Sequence, residues 1–409
     1  MRLIFTLMVL LLVGSVDAQR CGTELYMQNL PPSTRSFVQR GAPLPGRDTL
    51  KGEVIVVPVV VHVLYNTSAQ NISDQRIQAQ LDALNRDFRR RNADTVNTPA
   101  PFMSRAADVQ IVFSLAKKDP NGKPTSGIVR KYTKEKVFLA DDGMKFSSSG
   151  GADAWDASRY LNIWVCNLFG RTLGYTPMPG ADPGVDGIVI QYGVFGYQAG
   201  LGAPYNLGRT LTHEAGHWLG LKHVWGDEEC GDDGIFDTPR QQGPNTGHNV
   251  FPKMSACSED GNGDMFMNYM DFSDDADLNM FTVGQKVEMR SQFAKGGYRN
   301  SIINSDVMGN SELGEEGPQE KNWDNLVRYY PNPTRDFLIV EGRSFNEING
   351  SYLKLYDLQG KLLVDQRIQA EKTKINMSGL AAGVYVLSVE GIDKRRVYKV
   401  VKSGQLSGQ

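Results

Sequence analysis

The chain has 409 residues, 40% hydrophobic and 22% charged, which excludes a disordered or collagen-like polymer and fits two or three globular domains. Its 44 Lys and Arg against 46 Asp and Glu leave a net charge of −2, so no cationic excess is offered to a nucleic-acid backbone or an anionic membrane, and neither is expected as a partner. The four cysteines are too few for a disulfide scaffold or a cysteine-rich zinc module.

Arg2 precedes an apolar run from Leu3 to Val13 and the stretch Val16-Asp17-Ala18. This is the pattern of a secretory signal peptide, expected over 1–18 with the mature chain beginning near Gln19. The run is too short for a stable anchor and no second stretch approaches membrane length, so export without stable membrane insertion is expected. Residues 19–51, rich in Pro, Arg, Ser and Gly, read as a loosely structured leader. The run V-I-V-V-P-V-V-V-H-V-L-Y over 54–65 predicts a buried strand, with Pro58 moving its first half toward a sheet entrance or edge. Ser73 is placed to cap a helix in which Ile77, Leu81, Leu84 and Phe88 recur at three- and four-residue steps. Further strands are expected over 109–115, 161–165 and 187–192. Together, 52–302 form one α/β domain. Residues 303–324 are polar and acidic, the texture of a linker. Over 325–409, short β-rich segments at 337–341, 352–355, 383–389 and 396–401 alternate with Gly, Asn and Asp turns, as in a small all-β sandwich.

The chemistry concentrates between His213 and His223, where H-E-A-G-H-W-L-G-L-K-H holds three of the chain's five histidines. The full H-E-x-x-H-x-x-G-x-x-H pattern arises by chance on the order of a few times in a million such sequences, so fortuitous surface histidines are a poor account. On a helix, positions i and i+4 share a face, which aims His213 and His217 at one metal. Gly220 can end the helix and turn the chain so that His223 becomes a third ligand. Three neutral imidazoles and an open position suit catalytic zinc, because the open position must hold water. Glu214, beside the first ligand, is placed to take a proton from that water and pass it to the leaving amine.

This motif, followed by Asn268-Tyr269-Met270-Asp271, resembles the metzincin metallopeptidases and, within them, the pappalysin family. The resemblance extends to V-V-H-V-L-Y, L-G-Y-T-P-M-P-G, G-V-D-G-I-V-I, H-V-W-G-D and M-F-T-V-G-Q across 52–302. It implies a mixed twisted sheet with a backing helix and an active-site helix, and a secreted zinc endopeptidase acting on proteins and peptides. It implies that Met270 packs beneath the metal without ligating it, a role close to that of a plain core residue. Many metzincins carry a tyrosine two positions after this methionine, but here Phe272 has no hydroxyl, and Tyr269 is out of register for the role. A Cys230–Cys257 disulfide matches the family. Cys166 reads as a buried strand residue. Cys21 in the 19–51 leader, there a propeptide, is the family-like zinc ligand that would hold the enzyme latent; a Cys21–Cys166 bridge or an idle thiol is the other reading.

The loop C-G-D-D-G-I-F-D-T-P gathers Asp232, Asp233, Asp237 and Thr238, oxygen donors that suit the structural calcium of pappalysin relatives or form a solvated acidic loop. Asp260, Asn262 and Asp264 are a second calcium candidate. Past the methionine turn, Asp275, next to Asp274, is in register with the acidic residue that closes the pocket in relatives cleaving before Arg or Lys; the plainer reading is a solvated turn. That preference would let the enzyme process its leader before Arg35, Arg40 or Arg47. The C-terminal motifs Y-Y-P-N-P-T, L-Y-D-L-Q-G-K and L-A-A-G-V-Y-V-L resemble the type A sorting domain of type IX secretion, which implies that export machinery as a partner and surface attachment until the tail is removed. A generic β-sandwich binding module is the alternative there. For the whole chain, the competing class is a catalytically silent secreted adhesin that keeps its metal for structure; Glu214 argues for the enzyme.

Overall fold

The computed structural model describes residues 20–30, 52–196, 204–258, 261–308, 327–342, 351–357, 361–368, 370, 372–390 and 395–403. The expected signal peptide, the leader arginines Arg35, Arg40 and Arg47, Asp260 and most of the expected linker lie outside the described residues.

β1 (Ile55–Tyr65) is buried along almost its whole length, because it runs through the middle of a sheet covered on both faces. It pairs in parallel with β2 (Ile111–Leu115), β3 (Ile128–Tyr132) and β4 (Leu161–Cys166). β4 pairs in parallel with β6 (Ile188–Gln191), whose other edge takes the antiparallel β5 (Gly174–Tyr175). The sheet order is β2-β1-β4-β6-β5, with β3 also on β1. Pro58 is tolerated inside this strand for a local reason. Ile55 and Val59 turn their bonding groups toward β2, so the missing N–H of Pro58 faces the opposite side, which β4 reaches only from Val59 onward.

The Ser73 hydroxyl caps α2 (Asp74–Phe88) by accepting from the Arg76 N–H. Ile77, Leu81, Leu84 and Phe88 from α2 share a core with Leu211, Ala215 and Trp218 of α3 (Arg209–Trp218) and the apolar side chains of the sheet. Full burial of each such side chain contributes roughly 1.5–3 kcal/mol. Asp87 of α2 also ties the two helices together, bonding the Arg209 guanidinium and the Thr212 hydroxyl of α3. α4 (Val283–Ser291) starts with a Thr282/Gln285 capping box. The domain continues beyond 302: Val307 is buried with Val60, Ala116 and Tyr160, and its carbonyl accepts from the Lys117 and Lys118 N–H groups at 2.9 Å. The linker expected from 303 therefore begins later.

The start of the leader departs from the loosely structured segment expected of it. Residues Thr23–Asn29 form α1, and Arg20, Cys21, Thr23 and Tyr26 are buried. Seven residues without a side-chain cap are too few to hold a helix alone, so α1 exists through docking. Cys21 bridges in parallel to Gly174 on the β5 edge, and the Gly22 N–H donates to the Gly174 carbonyl at 2.8 Å.

The paired strands described in the C-terminal region are antiparallel. One sheet runs β10 (Leu362–Arg367), β9 (Tyr352–Tyr356), β12 (Gly383–Glu390), β13 (Arg395–Lys402); the other runs β11 (Lys372–Asn376), β8 (Phe337–Gly342), β7 (Val327–Tyr330). Leu338, Val340, Leu355, Ile375, Leu387 and Val400 meet in a core of its own, the expected sandwich.

Candidate active site

α3 ends at Trp218 with Leu219 as its C-cap, and Gly220 turns the chain at φ 93, a conformation open to glycine at little cost. His213 and His217 on the helix face and His223 past the turn thereby converge. Each ring is oriented through Nδ1: His213 donates to the Tyr269 carbonyl at 2.7 Å, His217 to the Leu221 carbonyl at 2.7 Å, and His223 to the Asp227 carboxylate. With Nδ1 carrying the proton, all three Nε2 lone pairs point inward. His217 Nε2 stands 3.1 Å from that of His213 and 3.1 Å from that of His223. Such facing lone pairs repel unless a cation lies among them. Burial and the neighbouring imidazoles push His217 down to about 3 and His213 well below its ordinary value, so these two rings are held in the neutral, ligating form. The donor set fits a borderline-soft metal such as zinc.

The methionine turn packs under this helix. Met270 is fully buried, and its sulfur lies where a side chain at Gly216 would begin, 2.4 Å from an ideal Cβ. Asn268 and Gln285 exchange two amide hydrogen bonds, at 2.9 and 3.0 Å, which anchor the turn to the start of α4. The Tyr269 hydroxyl is turned away from the histidines and takes the Arg209 guanidinium at 2.6 Å. Phe272 presents its ring to His223 at 4.9 Å, and Trp225 stacks on His223 at 4.3 Å.

The leader fills the site. Ligand atoms of Cys21, His213, His217 and His223 all lie within 4.8 Å of one another, and all four residues are buried. Burial and the Glu214 carboxylate push the Cys21 thiol well above its ordinary value, against the pull of the Thr23 hydrogen bonds, and a cation beside the sulfur would favour its thiolate. Thr23 donates to Glu214 Oε2 at 3.1 Å and accepts from the Thr176 N–H at 3.1 Å. Burial raises Glu214 to about 8, against the pull of Cys21 and Thr23. Glu214 Oε1 is buried without a hydrogen-bond partner among the described residues. One residue upstream, Arg20 pairs with Asp275 at 2.7 Å, the two side chains being 1% and 0% exposed. Its other terminal nitrogen donates to the Ser273 carbonyl, and the guanidinium stacks 5.2 Å from the Tyr205 ring.

Residues 146–294 match the pregnancy-associated plasma protein-A peptidase family. An extracellular metalloprotease of Verticillium alfalfae is 30% identical over 293 residues, which cover 68% of this chain and 91% of the relative. The chain belongs to the pappalysin family. A Tannerella forsythia promirolysin mutant is 45% identical with a TM-score of 0.66, covering 70% of this chain and 97% of that one. Tannerella forsythia mature mirolysin in complex with a cleaved peptide is 48% identical with a TM-score of 0.61, covering 63% and 99%. Residues 328–403 match the secretion system C-terminal sorting domain. The protein is thus a secreted metalloendopeptidase bearing a type IX export tail, and no helix among the described residues is long and apolar enough to cross a membrane.

Other expected residues of this pappalysin distribute unevenly. Asp275 is buried, its second oxygen accepting from the Leu207 and Arg209 N–H groups at 2.8 and 3.3 Å; it is not a solvated turn residue. Cys230 and Cys257 form the disulfide, while Cys21 and Cys166 are free and buried. The acids of the 230–239 loop make separate contacts. Asp237 accepts from the Thr282 hydroxyl at 2.6 Å and the Gly284 N–H at 2.9 Å, where it satisfies the start of α4. Asp232 is exposed and accepts from Gly234. Asp233 takes the Thr238 hydroxyl on Oδ1, and its Oδ2 is buried without a hydrogen-bond partner among the described residues. Asp264 is bonded by the Ser255 and Ser258 hydroxyls. Sequence reasoning missed Arg20, Thr23 and Asp227 as site residues. Asp227 was detectable, since it follows His223 by four residues; the other two have no local signal.

Proposed function

We propose that the chain is a zinc endopeptidase that cleaves on the amino side of arginine or lysine and is kept latent by its own leader. The observation that carries this reading is the leader's arrangement, with Cys21 among the three histidines and Arg20 in the Asp275 pocket. Bound zinc, held by His213, His217 and His223, would supply Lewis acidity toward a peptide carbonyl and toward water. Glu214, next to the first ligand, accepts a proton on its carboxylate and returns it to the departing amine. In the latent form both functions would be blocked, because Cys21, gathered with the three histidines, would serve as a fourth ligand to the metal, and Thr23 holds Glu214 Oε2.

The Asp275 pocket accounts for the preference. A guanidinium reaches Asp275 with one nitrogen and the Ser273 carbonyl with the other, whereas an ammonium is a single point that cannot span both, so arginine is favoured over lysine. The fork is divided between a carboxylate and a carbonyl, not placed on the carboxylate alone. A silent adhesin accounts for neither the buried Glu214 nor an arginine pocket beside the metal. Structural calcium in the 230–239 loop belongs to the same proposal, with the unpartnered Asp233 Oδ2 as its support. The resemblance to promirolysin favours latency, and the sorting tail favours surface attachment until its removal.

Terminal sequencing of products from a protein digest tests the preference, with Asp275→Ala run in parallel. New N-termini beginning mostly with Arg or Lys, and losing that bias in the variant, are expected. Products without the bias, or a bias unchanged by the substitution, would overturn it.

A further inference from the structure

Past Thr23 the leader fills a second socket, into which Tyr26 inserts. The Tyr26 N–H donates to the Gly22 carbonyl at 2.8 Å, so its side chain sits one helical turn, roughly 5 Å, along α1 from the residue that touches Glu214. The Tyr26 hydroxyl donates to Asp142 Oδ2 at 2.6 Å. Asp142 Oδ1 is already engaged, accepting from Lys145 Nζ at 2.8 Å and from the Tyr175 hydroxyl at 2.9 Å. Among the described residues, Tyr26 is the sole partner of Oδ2. The Tyr175 ring lies 5.1 Å from that of Tyr26, and Lys145 Nζ stands 5.7 Å from the Tyr26 ring.

Apart from Tyr26, every group here belongs to the catalytic domain and is fixed without the leader. Lys145 is 0% exposed; its ammonium also donates to the Val185 carbonyl at 2.7 Å and lies 5.4 Å from the Trp164 ring. Asp142 sits at φ 68, a left-handed conformation that is costly for a side-chain-bearing residue unless its surroundings hold it. Its N–H is held by the Tyr175 oxygen at 3.2 Å. Departure of the leader would therefore leave an aromatic-walled slot with an unpaired carboxylate oxygen at its base, the complement of a phenol.

We infer that the Asp142–Lys145–Tyr175 socket is a substrate subsite that takes a tyrosine side chain on the amino side of the scissile bond. The side follows from the leader's course: Arg20 and Tyr26 lie on opposite sides of Cys21 along it, and the Asp275 pocket takes the residue after the scissile bond. This rests on the proposed leader release and pocket assignment. A charge-assisted hydrogen bond in a partly wet subsite corresponds to about tenfold in kcat/KM.

The test uses leader-free mature enzyme and peptides with arginine fixed after the scissile bond, carrying Tyr, O-methyl-Tyr, Phe or Ala in turn at each position before it. At one position Tyr is expected to exceed Phe and O-methyl-Tyr about tenfold, and Asp142→Asn is expected to bring the Tyr-to-Phe ratio near one. Equal rates for Tyr and Phe at every position, or a ratio unmoved in a folded Asp142→Asn enzyme, would overturn the subsite. Since the peptide series needs no mutant, it decides the question even where the variant does not fold. Failure of the arginine preference reads out separately, as cleavage elsewhere in the Ala peptides. Where turnover is absent, binding of the same peptides to the Glu214→Gln enzyme decides by the same ratio.

Discussion

The leader's hold on the site is testable at Arg20, by measuring a synthetic peptide of residues 20–30 as an inhibitor of the mature enzyme. In the docked form both members of the Arg20–Asp275 pair are buried, 2.7 Å apart. An alanine at position 20 would leave the Asp275 carboxylate uncompensated in a closed pocket. Breaking a buried pair in this way costs about 3–5 kcal/mol. The lower end applies, because the Leu207 and Arg209 N–H groups still reach the second Asp275 oxygen. About 3 kcal/mol corresponds to an inhibition constant raised ~150-fold. A lysine at position 20 should fall between, since it can meet Asp275 but not Ser273 as well. The assay is steady-state inhibition against a quenched fluorescent peptide, with peptide helicity recorded so that altered solution structure is not mistaken for a lost contact. An alanine peptide that inhibits within threefold of the parent would refute the reasoning, because the buried pair would then contribute almost nothing to docking.

Glu214→Ala should lower proteolysis at least about a hundredfold while the metal stays bound, since the three imidazoles are untouched; a tenth of parental turnover, with metal content confirmed by elemental analysis, would sink the base assignment. In the precursor, Cys21→Ala should bring self-processing forward, seen as earlier mature bands on a time course, and a variant as inert as the parent would remove Cys21 from the latch. Asp227→Ala should weaken zinc about 10–100-fold through loss of the His223 Nδ1 acceptor, read by competition with a chromophoric chelator; unchanged affinity would mean that this contact does not orient the ligand.

How much of this was legible in the sequence follows the range of the interactions. The His213–His217–His223 array could be read because helix pitch and one glycine turn are local facts, set within eleven consecutive residues. α2 was legible for the same reason, since its cap and its apolar stripe lie in one stretch of chain. The central strands β1, β2, β4 and β6 carried mainly apolar runs, but β5 has only two residues and β3 has no fully buried residue, so neither has the pattern that a buried strand imposes. α1 was hidden because seven uncapped residues have no autonomous tendency to form a helix; the β5 edge, the Asp142–Lys145 socket and Glu214 beside the histidines hold it. Arg20 meets Asp275 across 255 residues, and Arg209 meets Asp87 across 122, separations over which spacing carries no information. The acidic loop shows the converse: Asp232, Asp233 and Asp237 are neighbours in sequence, yet the fold assigns Asp237 to the first turn of α4, because unsatisfied helix N–H groups compete for the same carboxylate. The sequence by itself determined which chemistry the chain carries, since metal ligation is encoded by residue type at short spacing. Only the tertiary structure decided what occupies that chemistry, because burying Arg20, Cys21 and Tyr26 requires partners from four distant segments to close around one short helix.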